Sequence, residues 1–184
     1  MYEDLDFTVG NLPAAEGSLT PFYAIADPEV PVHLPYTLSI KSPDVDPSLR
    51  RKLMLVTYND KEEIAAAGGE YRDGAITAKL RNFGAFAVAL DTIAPEIKLL
   101  GNRGDDYTGR KEMRFIIRDD LSGIAKYEGY IDNQWALFEY DPKNDLLVYS
   151  FDKQYITPES EHILELYISD EMGNTNLFQK NFTW

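Results

Sequence analysis

Cysteine is absent from this chain of 184 residues, which excludes disulfides, thiolate metal sites and cysteine nucleophiles. The compartment stays open on that ground, because exported bacterial proteins often carry none. Histidine is scarce, with two in all. His33 lies in the proline-rich segment DPEVPVHLP, and His162 follows Glu159 and Glu161. Neither has a second histidine or cysteine at ligand spacing, so no local motif assembles a zinc site and His162 reads as a surface residue. Basic residues are outnumbered 18 to 31, leaving a formal charge of −13 and a pI near 4.5. Such a surface repels phosphate backbones and anionic membranes, which excludes nucleic acid as a partner. No run of about 18 apolar residues exists to cross a bilayer. No charged-then-apolar leader precedes Tyr2, although a strand pattern is under way by Leu5, Phe7 and Val9. The first domain therefore reads as truncated at its start. No serine sits in a glycine-flanked elbow, and no glycine-rich loop opens a helix to cradle phosphate. Carboxylates are plentiful, but nothing singles out an acid pair. The chain reads as a non-enzyme, with no catalytic residue and no cofactor.

What the chain does contain points to β-structure. Hydrophobic residues make up 44% and aromatics 12%, with twelve tyrosines, a composition that folds and favours strands. The organising stretch is NFGAFAVALDTIAPEIKLL, Asn82 to Leu100. An alternating apolar strand ends at Asp91, a short connector carries Pro95, and a second apolar strand starts at once. The expected fold is all-β: two tandem β-sandwich domains, 1–92 and 93–184, the second immunoglobulin-like.

In the first half, proline breaks the strands. FYAIAD is a short strand, and Pro28, Pro31 and Pro35 keep DPEVPVHLP at an edge or in a crossover. Tyr36, Leu38 and Ile40 share one face of YTLSIK. Asp46 before Pro47 suits an N-cap followed by a first-turn proline. KLMLVTY is a strongly apolar strand whose partner is expected to start at GGEYRDG. The expected hairpin pairs AITAKLR with AFAVALD across Asn82, Phe83 and Gly84. DKEEIAAAG, helix-friendly but short, reads as a connection between strands.

The second half is more regular. PEIKLLG, EMRFIIRDD, IAKYEGYID, WALFEYD, LLVYSFD, HILELYISD and NLFQKNFTW are seven runs at the spacing of a sandwich. Met113, Phe115 and Ile117 alternate with polar neighbours, as do Leu164, Leu166 and Ile168, so these two strands belong in mid-core. Asp132 and Asn133 tolerate the left-handed backbone of a tight hairpin. Two strand ends, RDDLSGI and SDEMGNTN, gather oxygen donors. Asp119, Asp120, Asp170 and Asn174 are calcium candidates if both ends meet, although such side chains more often bond their own backbone and shape turns. Tyr127, Tyr130, Trp135, Phe138 and Tyr140 are numerous enough for a sugar-binding platform; the competing reading is core and cross-strand packing. Alternation sends Trp135 and Leu137 one way, Ala136 and Phe138 the other.

FGAFAVALDTIAPEI, RDDLSGIAKYEGYID, WALFEYD and HILELYISDEMGN resemble the C-terminal, non-catalytic region of bacterial lysostaphin-type (LytM-like) zinc endopeptidases. The resemblance covers roughly Tyr36 to Trp184. That family cuts peptidoglycan cross-links at a zinc site built on H-x-x-x-D and H-x-H motifs. Neither motif occurs here, so no catalytic residue carries over. The resemblance implies an exported accessory module in the periplasm or at the surface of a bacterium. Its partner would be its own upstream peptidase domain or an envelope protein, and its role positioning the enzyme or docking that partner. The alternative is a carbohydrate- or peptidoglycan-binding module. LTPFYAIADPEVPVHLPYTLSIK also resembles the β-sandwich of ankyrins and netrin receptors.

Overall fold

The computed structural model describes residues 8–58, 63–101 and 104–184. The chain divides into two compact units, Met1–Thr92 and Ile93–Trp184, and each has its own hydrophobic core. Among the described residues it is all-β apart from one 3₁₀ turn, and each unit is a two-sheet sandwich. Among the described residues, no helix is long and apolar enough to cross a membrane.

The first unit contains β1 (Val9–Leu12), β2 (Phe22–Ile25), β3 (Tyr36–Lys41), β4 (Leu53–Tyr58), β5 (Ile64–Gly68), β6 (Glu70–Arg72), β7 (Ala75–Leu80) and β8 (Gly84–Leu90). One sheet runs β1-β2-β8-β4-β5 and the other β3-β7-β6. Leu53, Leu55, Phe86 and Val88 of the first sheet close on Ile40, Ile76, Ala78 and Leu80 of the second. The 3₁₀ turn Pro47–Lys52 begins as its sequence requires: Asp46 caps it, accepting from the Ser48 N–H at 2.8 Å, and Pro47 takes the first turn.

Three expectations fail in this unit, each because tertiary pairing overrides a local pattern. β7 and β8 do not form a hairpin. β7 pairs with β3 and β6, whereas β8 pairs with β2 and β4. The Arg81–Phe83 link crosses between the sheets, held by the Tyr36 hydroxyl donating to the Asn82 carbonyl at 3.0 Å and by the Tyr36 and Phe83 rings at 5.3 Å. A hairpin would line up the apolar faces of both strands side by side with nothing to close over them. Facing each other, Ile76 and Phe86 are fully buried, each contributing about 1.5–3 kcal/mol relative to exposure. The Ala65–Ala67 stretch is not a connection but part of β5, paired along β4, so ladder bonds outweigh its helix preference. Finally, β4 pairs with β5 and β8, and of GGEYRDG only Gly68 reaches it, opposite Leu55, since β6 joins the other sheet. The chain changes sheets at Gly68 and Gly69. The φ of Gly69 is +103°, and a Cβ there would lie 3.1 Å from both the Ala78 Cβ and the Thr77 carbonyl. Leu5, Phe7 and Asp60–Glu62 lie outside the described residues; Val9, the remaining member of the first alternating set, is 60% exposed.

The second unit contains β9 (Glu96–Leu99), β10 (Glu112–Arg118), β11 (Ile124–Ile131), β12 (Gln134–Ala136), β13 (Phe138–Asp141), β14 (Leu146–Ser150), β15 (Glu161–Asp170) and β16 (Thr175–Thr183). Its sheets run β13-β14-β10-β9 and β12-β11-β15-β16, with β10 and β15 each flanked on both sides. Met113, Phe115 and Ile117 pack against Leu164, Leu166 and Ile168 in one core. WALFEYD, read as one strand, is two. The chain leaves one sheet after Ala136 and enters the other at Phe138, with Leu137 at the step.

Candidate functional site

The β11–β12 hairpin is tight. Asp132 and Asn133 both adopt left-handed backbone, φ 51° and 63°, which suits the twist of paired strands. Tyr130 then lies opposite Trp135, and Gly129 opposite Ala136. Because β12 is only three residues long and its chain steps away to the other sheet, that edge of the sandwich is left open. The opening is a groove of about 450 Å³. Its floor includes the buried Ile131, Tyr149 and Ile156, and its polar lining includes Gln134, Glu139 and Asp152. Trp135, Leu137 and Tyr155 line it at 64%, 63% and 71% exposure. Burial, with Asp152 adding to it, pushes the Tyr149 phenol up, so its hydroxyl stays a neutral donor at physiological pH. Concave sites of this kind, apolar walls with a few placed hydrogen-bonding groups, suit small ligands.

The aromatic residues expected to form one platform separate by face. Tyr130 and Trp135 are on the outer face of β12-β11-β15-β16. Tyr127 and Tyr140 are not: they lie in different sheets, pack against the core and meet edge-on at 5.6 Å. Burial first, then Asp145, Asp141 and Tyr127, raise the Tyr140 phenol. Phe138 is core. Tyr167 of β15, which the sequence reading did not select, stands edge-on to Tyr130 at 6.1 Å. Its signal was its place between Leu166 and Ile168, on the opposite face from the apolar set. Around this pair lies a second cavity of about 410 Å³, lined by Glu128, Tyr130, Asn133, Glu165 and Tyr167. Gln179 donates to Glu165 at 2.7 Å, and Lys126 pairs with Glu128 at 2.8 Å.

His162 is not a surface residue. It is 4% exposed, because alternation along β15 sends it inward with Leu164 and Leu166. Its Nδ1 lies 2.6 Å from Asp132 Oδ2 and its Nε2 2.8 Å from the Thr157 carbonyl. The carbonyl only accepts, so Nε2 carries a hydrogen. Asp132 Oδ1 accepts from the Ile163 N–H at 2.9 Å. Burial opposes ionisation of Asp132, but the bonds from His162 and Ile163 outweigh it and hold the carboxyl below its usual range. The cluster ties the hairpin turn to β15 and to the loop bearing Tyr155. His33 is exposed.

Asp119 and Asp170 do come together, with carboxylate oxygens within 4.8 Å of each other. Both are engaged in their own turns. Asp119 Oδ2 accepts from the Leu121 and Gly123 N–H groups at 3.1 and 2.8 Å, and from the Ser122 hydroxyl at 3.4 Å. Asp170 accepts from the Asn174 backbone at 2.8 Å and from its side-chain amide at 2.6 Å. Asp120 is exposed. Turn shaping accounts for these bonds.

Residues 1–91 match the family model of the Zu5-like domain. No curated protein matches the chain. Among solved structures, an endo-beta-1,4-mannanase from Thermotoga petrophila aligns over 50% of this chain and 20% of its own, at 16% identity and a TM-score of 0.41. The chain thus spans about one fifth of that protein's length. An apo expansin from Clavibacter michiganensis aligns over 97% of this chain and 96% of its own, at 12% identity and a TM-score of 0.34.

Proposed function

We propose that this chain is a non-catalytic accessory module of the bacterial cell envelope whose second sandwich binds glycan at the groove beside Trp135. The observation that carries the reading is the set Trp135, Leu137 and Tyr155, three large apolar side chains each more than 60% exposed around one cavity. Large side chains left in water at a concave site mark a binding surface. The C–H faces of a pyranose ring lie flat on such aromatic surfaces, while Gln134, Glu139 and Asp152 meet its hydroxyls. The charge of −13 favours an uncharged ligand over a polyanion. The resemblance to the non-catalytic region of lysostaphin-type endopeptidases supports an exported, wall-associated setting in which the module would hold an enzyme near its polymer.

Isothermal titration tests this with peptidoglycan fragments and neutral β-linked oligosaccharides. Binding by the wild-type chain, lost in Trp135→Ala, is the expected result. Absence of heat with every one of these ligands sinks the proposal.

A further inference from the structure

We infer that the glycan site does not end at the groove but continues over Trp135 onto the outer face of β12-β11-β15-β16, where Tyr130, Tyr167, Glu128 and Glu165 form a second subsite for a neutral pyranose chain. This extends the glycan reading above and rests on it. Trp135, Tyr130 and Tyr167 project from three successive strands, β12, β11 and β15. Trp135 is directly opposite Tyr130, and the Tyr130 and Tyr167 rings are 6.1 Å apart. Neighbouring strands are about 4.8 Å apart, so Trp135 and Tyr130 stand side by side, while Tyr167 is set diagonally, two residues along β15 from Glu165, the partner of Tyr130; a pyranose chain crossing the strands obliquely meets all three.

The chemistry of the second cavity agrees with that spacing. It holds about 410 Å³, enough for one or two sugar rings. Two tyrosines supply apolar edges and hydroxyls, Asn133 an amide, and Glu128 and Glu165 carboxylate acceptors for sugar hydroxyls. Glu165 is steadied by Gln179, and Glu128 by Lys126, which lowers the ordering cost when a ligand arrives. Two carboxylates at one subsite repel a uronate or phosphate-bearing polymer. Trp135 borders both the groove and this face, so a single chain can occupy both.

The test compares a neutral β-1,4-linked disaccharide with the corresponding hexasaccharide, in glucose and N-acetylglucosamine series, against the full chain. Polygalacturonate serves as the anionic control. The hexasaccharide is expected to bind more tightly than the disaccharide, and polygalacturonate not at all. Tyr167→Ala and Glu165→Ala each weaken hexasaccharide binding about tenfold, the size of one lost aromatic or charge-assisted contact. Tryptophan fluorescence and far-UV circular dichroism check that the variants fold. If both variants bind the hexasaccharide as the wild type does while Trp135→Ala does not, the second subsite is wrong and the groove reading survives. If the wild type binds neither oligosaccharide, both fall. A wild-type dimer that Tyr167→Ala dissociates, with hexasaccharide affinity unchanged, identifies the face as a self-association surface and overturns the inference.

Discussion

Replacing Asp132 by Asn isolates the contribution of the buried histidine cluster. The turn is not disturbed, since Asn accepts the left-handed φ of 51° as readily as Asp. The carboxylate, however, accepts two bonds, from His162 Nδ1 and from the Ile163 N–H, and an amide has only one oxygen. Nε2 already donates to the Thr157 carbonyl, so Nδ1 donates to Asp132 only when the ring is doubly protonated; that donor must then face an NH2 group. Losing a hydrogen bond to a charged acceptor costs about 1.5–3 kcal/mol. Asp132 is 46% exposed on its side, so water and salt screen part of this, and about 1–2 kcal/mol remains. For a unit of this size, 1 kcal/mol moves the melting temperature by about 4–8 °C. The expected loss in Asp132→Asn is therefore roughly 5–15 °C at mildly acid pH, above about 4.

The pH dependence gives a sharper test. The folded-state pKa of Asp132 lies below its ordinary value of 3.8. Its contribution is therefore present above 3.8 and is lost as the pH falls through the lower, folded value. The gap between wild type and Asp132→Asn should be present at about pH 5 and close as the pH falls below about 4. Both tryptophans, Trp135 and Trp184, belong to the second unit, so tryptophan fluorescence melts report on it alone. A gap that persists unchanged at the acid end, or no gap at about pH 5, refutes the assignment of the His162 bond to an ionised Asp132.

Gly129 sits under the Phe138 ring, and a Cβ there would lie 2.0 Å from the ring edge. Gly129→Ala should destabilise the second unit by at least about 1–3 kcal/mol, with part recovered in the double variant carrying Phe138→Leu, as measured by urea unfolding. Asp119→Ala strips the acceptor from two backbone N–H groups and should cost about 1–3 kcal/mol in the same assay. Trp135→Ala should change stability by no more than about 0.5 kcal/mol, because the side chain is 64% exposed, so any loss of glycan binding in that variant is a loss of contact.

By itself the sequence determined the all-β class and the faces of the long strands. Alternation of Met113, Phe115 and Ile117, and of Leu164, Leu166 and Ile168, specifies which side is buried wherever a strand has one wet face. The Asp132–Asn133 turn was legible too, because few residue pairs accept two consecutive left-handed conformations. Only the tertiary structure decided which strands are neighbours. AITAKLR and AFAVALD look like a hairpin because each alternates and a short loop joins them, but burial is satisfied as well across a sandwich as along a sheet, and the core selected the former. Ala65–Ala67 became strand because β4 offered it a ladder. The candidate site was half legible. Trp135 and Leu137 could be assigned a common direction, but their exposure follows from the step between sheets that cuts β12 short. Tyr127 and Tyr140 share their residue type with Tyr130 yet pack inward, and His162 gained its two acceptors from a turn 30 residues away and a loop. Periodicity states which way a side chain points along its own strand; what it meets there depends on the other elements that fold against it.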